Sequence, residues 1–214
     1  MIIKWYGHSS FLIENAAGHC LLTDPFDASV GYPMVCAAAD VVTISHAHHD
    51  HNCLDNVSND NAVIVRDGAA EVAGFKVTSV PTCHDEAGGS KRGENRVFII
   101  ESDGLRIAHL GDLGHIPTRE QYAAMGPVDI LMTPVGGFYT IDAAQAWEIT
   151  KALSPRVVIP MHYKTRYLDY PITTETPYLA LSGDAQRGMR EIVLSADTLP
   201  EPLTVYLPAL YTEA

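Results

Sequence analysis

The chain has 214 residues, 47% of them hydrophobic and 19% charged, which is enough to bury a sizeable core and excludes a disordered or fibrous protein. Fourteen Lys plus Arg against twenty-six Asp plus Glu leave a net charge of -12, the wrong sign for neutralising a phosphate backbone, so nucleic acid is not the expected partner. No Pro/Gly/Ser linker or charge block divides the chain, and residues 1–214 are expected to form one domain. No run approaches the roughly eighteen apolar residues of a membrane span, and the start MIIKWYGHSSFLIEN lacks the apolar stretch of an export signal. Cys20, Cys36, Cys53 and Cys83 form no C-x-x-C pair. A cytoplasmic protein with reduced thiols, a small-molecule substrate and no membrane partner is the expectation, with the oligomeric state open.

In chain order, Met1 to Tyr6, Phe11 to Glu14 and Cys20 to Thr23 read as strands, and Val41 to Ser45 as a strand buried on both faces. Further strands are expected at Ala62 to Val65, Phe75 to Val80, Val97 to Glu101 and Leu105 to Leu110, the last two joined by Asp103-Gly104, a hairpin signal because both positions tolerate positive φ. The period then changes. Thr118 with Gln121 reads as a capping box opening a short helix that stops at Gly126. Asp142 with Gln145 opens a second, whose stripe of Ala143, Ala146, Trp147, Thr150 and Leu153 must end before Pro155. Val128 to Met132 and Arg156 to Met161 are buried strands on either side of it. Early hairpins and later helices predict two packed sheets with helices outside, a layered α/β arrangement.

Four of the ten histidines fall within His46-Ala47-His48-His49-Asp50-His51. Imidazole is a common ligand of borderline metals, and in extended chain residues two apart project to one side, so His46, His48 and Asp50 can face one point. His51 joins them only if the chain turns, which a helix start would supply; the alternative role of Asp50 is to cap that helix. Three other strand ends offer donors: Cys83-His84-Asp85 after Val80, Gly111-Asp112 after Leu110, and His162 after Met161. The carboxyl ends of strands are where α/β architectures place their sites.

The window matches the H-x-H-x-D-H motif and resembles the metallo-β-lactamase-fold hydrolases, with His84, Asp112 and His162 in the order of that superfamily's remaining ligands. Trp5 to Phe11, Thr23 to Phe26, His109 to Asp112 and Met161 to Thr165 resemble the branch that includes ascorbate-6-phosphate lactonase. The resemblance implies an αββα sandwich with two divalent metal ions per chain, zinc first and Mn, Fe or Ni as alternatives. Carried over by position, His46, His48 and His84 hold one ion, Asp50, His51 and His162 the other, and Asp112 bridges. His48, where the related diiron flavoprotein oxidoreductases carry Glu, favours hydrolysis over oxygen or nitric oxide reduction.

Two such ions roughly 3.5 to 4 Å apart share a hydroxide at neutral pH and polarise the substrate's carbonyl or phosphoryl oxygen. The expected reaction is cleavage of a small ester, lactone or phosphoester, with Asp50, Asp112 and His115 as the catalytic residues, His115 as proton donor three positions after Asp112. Asp24 either supports a ligating imidazole from outside or merely starts the turn at Pro25. His8 either lies near the pocket or is buried and satisfied, and His109 is structural. Lys164 and Arg166, two and four residues after His162, are expected to bind an anionic group, and Lys91 and Arg92 supply further local charge. Tyr139, Tyr163, Tyr167 and Tyr170 form an aromatic wall or pack routinely. The rival readings are a single-iron oxygenase using His46, His48, His84 and Asp112, a metal sensor, and a nucleic-acid phosphodiesterase.

Overall fold

The structure, a computed structural model, describes residues 1–212. The first half is strands: β1 (Ile2–Gly7), β2 (Ser10–Glu14), β3 (Cys20–Thr23), β4 (Val41–Thr43), β5 (Val63–Val65), β6 (Ala69–Val72), β7 (Phe75–Cys83), β8 (Glu94–Ser102) and β9 (Leu105–His109). Helix α1 (Arg119–Met125), strand β10 (Ile130–Pro134), helix α2 (Ala143–Leu153) and strand β11 (Val157–Met161) follow. The chain then adds α3 (Thr176–Ser182), β12 (Ala185–Arg187), β13 (Ile192–Val193) and β14 (Thr204–Leu207).

Two mixed sheets pack face to face, ordered β13-β1-β2-β3-β4-β5 and β12-β14-β11-β10-β9-β8-β7-β6. Their period-two patterning explains the packing. Phe11, Ile13, Leu21 and Val41 point from the first sheet into one apolar cluster with Phe75, Val77, Ile107 and Ile130 of the second. Their chain neighbours Leu12, Leu22 and Val42 face outward, where Ala37 and Ala39, before β4, and Leu54 and Val57, after it, cover them. On the second sheet, β10 and β11 run parallel and are buried at every position, because helices cover that face. There α1 packs on β7, α2 on β10, and α3 on α2.

Local chemistry sets the boundaries. Both expected capping boxes form: Thr118 with Gln121 opens α1 and Asp142 with Gln145 opens α2. Ser154 ends α2 at φ 48 immediately before Pro155. Asp103 and Gly104 turn the β8–β9 hairpin at φ 54 and 73. One expectation fails: no helix follows His51. A tight turn does the work instead, with the His51 N–H donating to the His48 carbonyl at 3.0 Å, so Asp50 caps nothing.

Strands β1, β3 and β4 point the same way, as do β7, β9, β10 and β11 in the other sheet. Their carboxyl ends meet along one edge of the sandwich, where Arg96 N–H donates to the Ser45 carbonyl at 2.9 Å. The histidines converge at that edge.

Candidate metal centre

Each strand end delivers one part. His8 follows β1, Asp24 follows β3, the 46–51 turn follows β4, His84 follows β7, Asp112 comes three residues after β9, and His162 follows β11. His8, Asp24 and His162 have φ of 51, 38 and 50, a left-handed conformation that non-glycine residues adopt at a cost. Hydrogen bonds hold the strain: the His8 carbonyl accepts from Trp5 Nε1 at 3.1 Å and from the His162 N–H at 3.4 Å.

Asp112 sits at the middle. Its Oδ2 lies 3.2 Å from Nε2 of both His84 and His162 and 3.9 Å from that of His46, while Oδ1 lies 3.2 Å from His51 Nε2. Donor atoms gather on either side, His46, His48 and His84 in one group and His8, Asp50, His51 and His162 in another, the atoms of each within 4.8 Å of one another. His46, His51 and Asp112 form a third such group linking the two.

Apart from the exposed His48 and the half-buried His46 the cluster is buried, and its polar atoms are poorly served. Among the described residues, ten buried side-chain nitrogens and oxygens have no hydrogen-bond partner, and seven of them belong to His8, His46, His51, His84, Asp112 and His162. His51 Nε2 and Asp112 Oδ1 approach each other without hydrogen-bond geometry. Unpaired buried polar atoms are costly, and such a concentration of nitrogen and carboxylate donors fits divalent cations.

The charges suit that purpose. Burial, reinforced by the neighbouring His51 charge, pushes His46 down to about 3, and burial with His162 nearby pushes His8 down to about 4, so both imidazoles are neutral and able to ligate. Burial opposes charge on Asp112 too, yet the surrounding His162 and His51 hold it well below the usual carboxylate range. Burial likewise works against a charged His51, but Asp112 and Asp24 outweigh it and hold its proton well above the ordinary histidine range, so a cation bound at Nε2 would have to displace that proton.

The outer support is specific. Asp24 Oδ2 lies 2.8 Å from His51 Nδ1, and the same carboxylate accepts from the Ser45 N–H at 2.7 Å and the Ser45 hydroxyl at 2.6 Å. Asn95 Oδ1 accepts from the Asp112 N–H at 2.9 Å, while its amide donates to Thr82 Oγ1 and the Leu110 carbonyl. Asn95 holds the β9 end in place, and no local pattern in the sequence marks it. Tyr170, on the loop after β11, donates to Asp50 Oδ2 at 3.4 Å.

The β-lactamase superfamily domain matches residues 2–162, from the first strand to the last histidine of the cluster. The chain belongs to the metallo-β-lactamase superfamily. A metal-dependent hydrolase of the UPF0173 family from Nanoarchaeum equitans is 29% identical over 225 residues, covering 92% of this chain and 98% of that protein. One from Thermococcus onnurineus is 30% identical over 193 residues, covering 76% of this chain and 84% of that protein. A crystal structure from Thermotoga maritima, described as a candidate Zn-dependent hydrolase of the metallo-β-lactamase superfamily, superposes with a TM-score of 0.80 at 37% identity over 97% of each chain.

In this superfamily member the cluster opens on a hollow of about 350 Å³ lined by His48, Asp50, His84, Asp112 and His162, with Arg92, Tyr139 and Tyr170 on its wall. Three residues expected beside the substrate lie elsewhere. His115 Nδ1 donates to the Ile116 carbonyl at 2.9 Å and its Nε2 accepts from the Cys83 N–H at 3.2 Å, so both ring nitrogens are engaged and the side chain is a strut for the end of β7. Lys164 Nζ donates to the Tyr170 carbonyl at 2.9 Å and pairs with Asp169 at 3.3 Å, holding the loop that carries Tyr170. Arg166 stacks on Tyr167 and lines a separate hollow with Trp5 and Tyr163. The aromatic wall is therefore Tyr139 and Tyr170 alone; Tyr163 packs on Trp5, and Tyr167 on Tyr32. His109 Nε2 donates to the Ser9 carbonyl at 2.8 Å and ties the two sheets together. Among the described residues no helix is long and apolar enough to cross a membrane.

Proposed function

We propose that the chain is a metal-dependent hydrolase holding two divalent cations, zinc first, that cleaves an ester, lactone or phosphoester bond of a small substrate. Two donor groups flanking one carboxylate, with most of the buried unpaired polar atoms of the described residues concentrated there, are the observation that carries this reading. His46, His48 and His84 would hold one ion, Asp50, His51 and His162 the other, and Asp112 would reach both. Divalent cations held by these residues would supply a hydroxide at neutral pH and would polarise the bond to be cut.

The protein's own residues do the rest. Asp24 and Ser45 fix the His51 ring and the start of the histidine turn, so the donors are organised before a cation arrives. Tyr170 fixes the Asp50 carboxylate and, with Tyr139, walls off one side of the hollow. Among the described residues no serine or cysteine lines that hollow as a competing nucleophile.

A one-iron oxygenase would need only His46, His48, His84 and Asp112. The second complete donor set speaks for two ions and hydrolysis. The test is to strip the protein with a chelator, restore zinc, manganese, iron or nickel singly, and screen lactones, phosphomonoesters, phosphodiesters and carboxylic esters. Hydrolysis restored by a divalent metal is expected; oxygen consumption with iron alone would select the other reading.

A further inference from the structure

Arg92 stands between two hollows. On one side it lines the metal-centre hollow, with its guanidinium over the Tyr139 ring at 5.6 Å. On the other it lines an adjoining hollow of about 290 Å³ together with Arg66 and Arg96, against the Ile44 to His48 segment. His48, a member of the first donor group, also faces both spaces. Three of the nine arginines of a chain with net charge -12 therefore share one small space beside the cluster.

Their partners differ in a telling way. Arg96 is neutralised by Glu94 at 2.9 Å and Asp67 at 3.3 Å. Arg66 has only a neutral partner, donating to Asn52 Oδ1 at 2.7 Å, and Arg92 has only the Tyr139 ring; among the described residues neither meets a carboxylate. Nor is Arg92 on a loose loop. The Asp85 carboxylate accepts from the N–H groups of Ala87, Gly89, Lys91 and Arg92 at 2.7 to 3.0 Å, which fixes the backbone that presents the guanidinium. A planar guanidinium resting on an aromatic face keeps its N–H edge free for the two oxygens of an oxyanion.

We propose that the Arg66–Arg92 hollow is a recognition subsite for a phosphate or carboxylate carried by the substrate, so that the substrate is a small ester with an anionic group beside the bond that is cut. This rests on the hydrolase reading for the bond that is cut, while the subsite itself rests on the arginines. It keeps Arg92 from the charges that the sequence offered, adds Arg66, and sets aside Lys164 and Arg166, which line neither hollow.

The test compares phenyl acetate, 4-carboxyphenyl acetate and 4-phosphonophenyl acetate on the metal-loaded protein and its Arg92→Gln, Arg92→Lys and Arg66→Gln variants. In Arg92→Gln, KM for the preferred charged ester should rise about ten-fold or more with kcat within about two-fold, and phenyl acetate should be unaffected. Arg92→Lys, which keeps the charge and loses the fork, should fall between. Whichever charged ester responds more identifies phosphonate or carboxylate as the group recognised. Equal losses on neutral and charged esters, or no loss on either charged ester, overturn the proposal. If the parent protein cleaves none of the three, the hydrolase reading is at fault, and titration calorimetry with phenylphosphonate and benzoate decides the subsite separately. There the Arg66→Gln/Arg92→Gln double variant should bind about ten-fold more weakly at unchanged metal content, and unchanged affinity for both probes overturns the proposal.

Discussion

Asp24 Oδ2 lies 2.8 Å from His51 Nδ1, and both side chains are fully buried. The contact keeps the His51 proton on Nδ1 and leaves Nε2 facing Asp112. Asp24→Asn preserves the shape but replaces an obligate acceptor by a group that can also donate, so the ring loses its fixed tautomer. Affinity for the ion nearest His51 should fall about ten- to a hundred-fold, read by competition with a chromogenic chelator. Unchanged affinity would show that His51 is positioned by packing alone.

His8 is buried with neither ring nitrogen hydrogen-bonded, 3.4 Å from Asp50 Oδ2 and with its ring 4.3 Å from that of His162. His8→Ala should therefore weaken the Asp50, His51 and His162 group and spare the His46, His48 and His84 group. A titration of the stripped variant with zinc should show one tight equivalent retained and the other weakened about ten-fold or more. Two tight equivalents in the variant would place His8 outside the centre.

Gly114 lies against the backbone that delivers His84 to the cluster. A Cβ there would come within 2.2 Å of the His84 carbonyl carbon and 2.3 Å of the Asp85 nitrogen, and backbone cannot swing aside as a flexible side chain can. Gly114→Ala should cost about 3 kcal/mol or more in urea unfolding of the stripped protein and displace His84 from the cluster. A parent-like urea midpoint together with full metal loading would contradict this placement.

Tyr178 of α3 is buried against α2, its hydroxyl 2.9 Å from Thr150 Oγ1. Burial pushes the phenol up to about 12, above its ordinary value of about 10. Because the folded value exceeds the unfolded one, this contribution is complete below pH 10 and is lost as pH rises through 12. Tyr178→Phe should flatten the alkaline loss of stability between those values, measured by urea unfolding at fixed pH steps, whereas an unchanged profile would assign the loss to other tyrosines.

What the sequence made legible was local. The capping boxes at Thr118 and Asp142, the Asp103-Gly104 turn and the donors at strand ends each rest on spacings of a few residues, and each lies where expected. The centre as a whole became readable because its donors follow apolar strands. Lys164, Arg166 and His115 show the limit of such reasoning, because nearness in sequence to a residue of the cluster is not nearness in space. The chain turns at His162 with φ 50, and Lys164 then finds the Tyr170 carbonyl. Asn95 acts through Thr82, Leu110 and Asp112 and carries no periodic signal, whereas Arg92 is marked only by its charge, and its place over the Tyr139 ring needs the fold. Strand β12 is mostly exposed at a sheet edge, and α3 starts without a side-chain cap, so neither carries the pattern that reveals an element.

The most direct measurement is the metal content of the chain purified without chelator, by elemental analysis against protein concentration, on the preparation then assayed for hydrolysis. Close to two divalent ions per chain are expected, with hydrolysis lost and regained as they are removed and restored. A tenth of an equivalent or less after loading with zinc, manganese, iron or nickel, or hydrolysis that persists in stripped protein, would contradict the account.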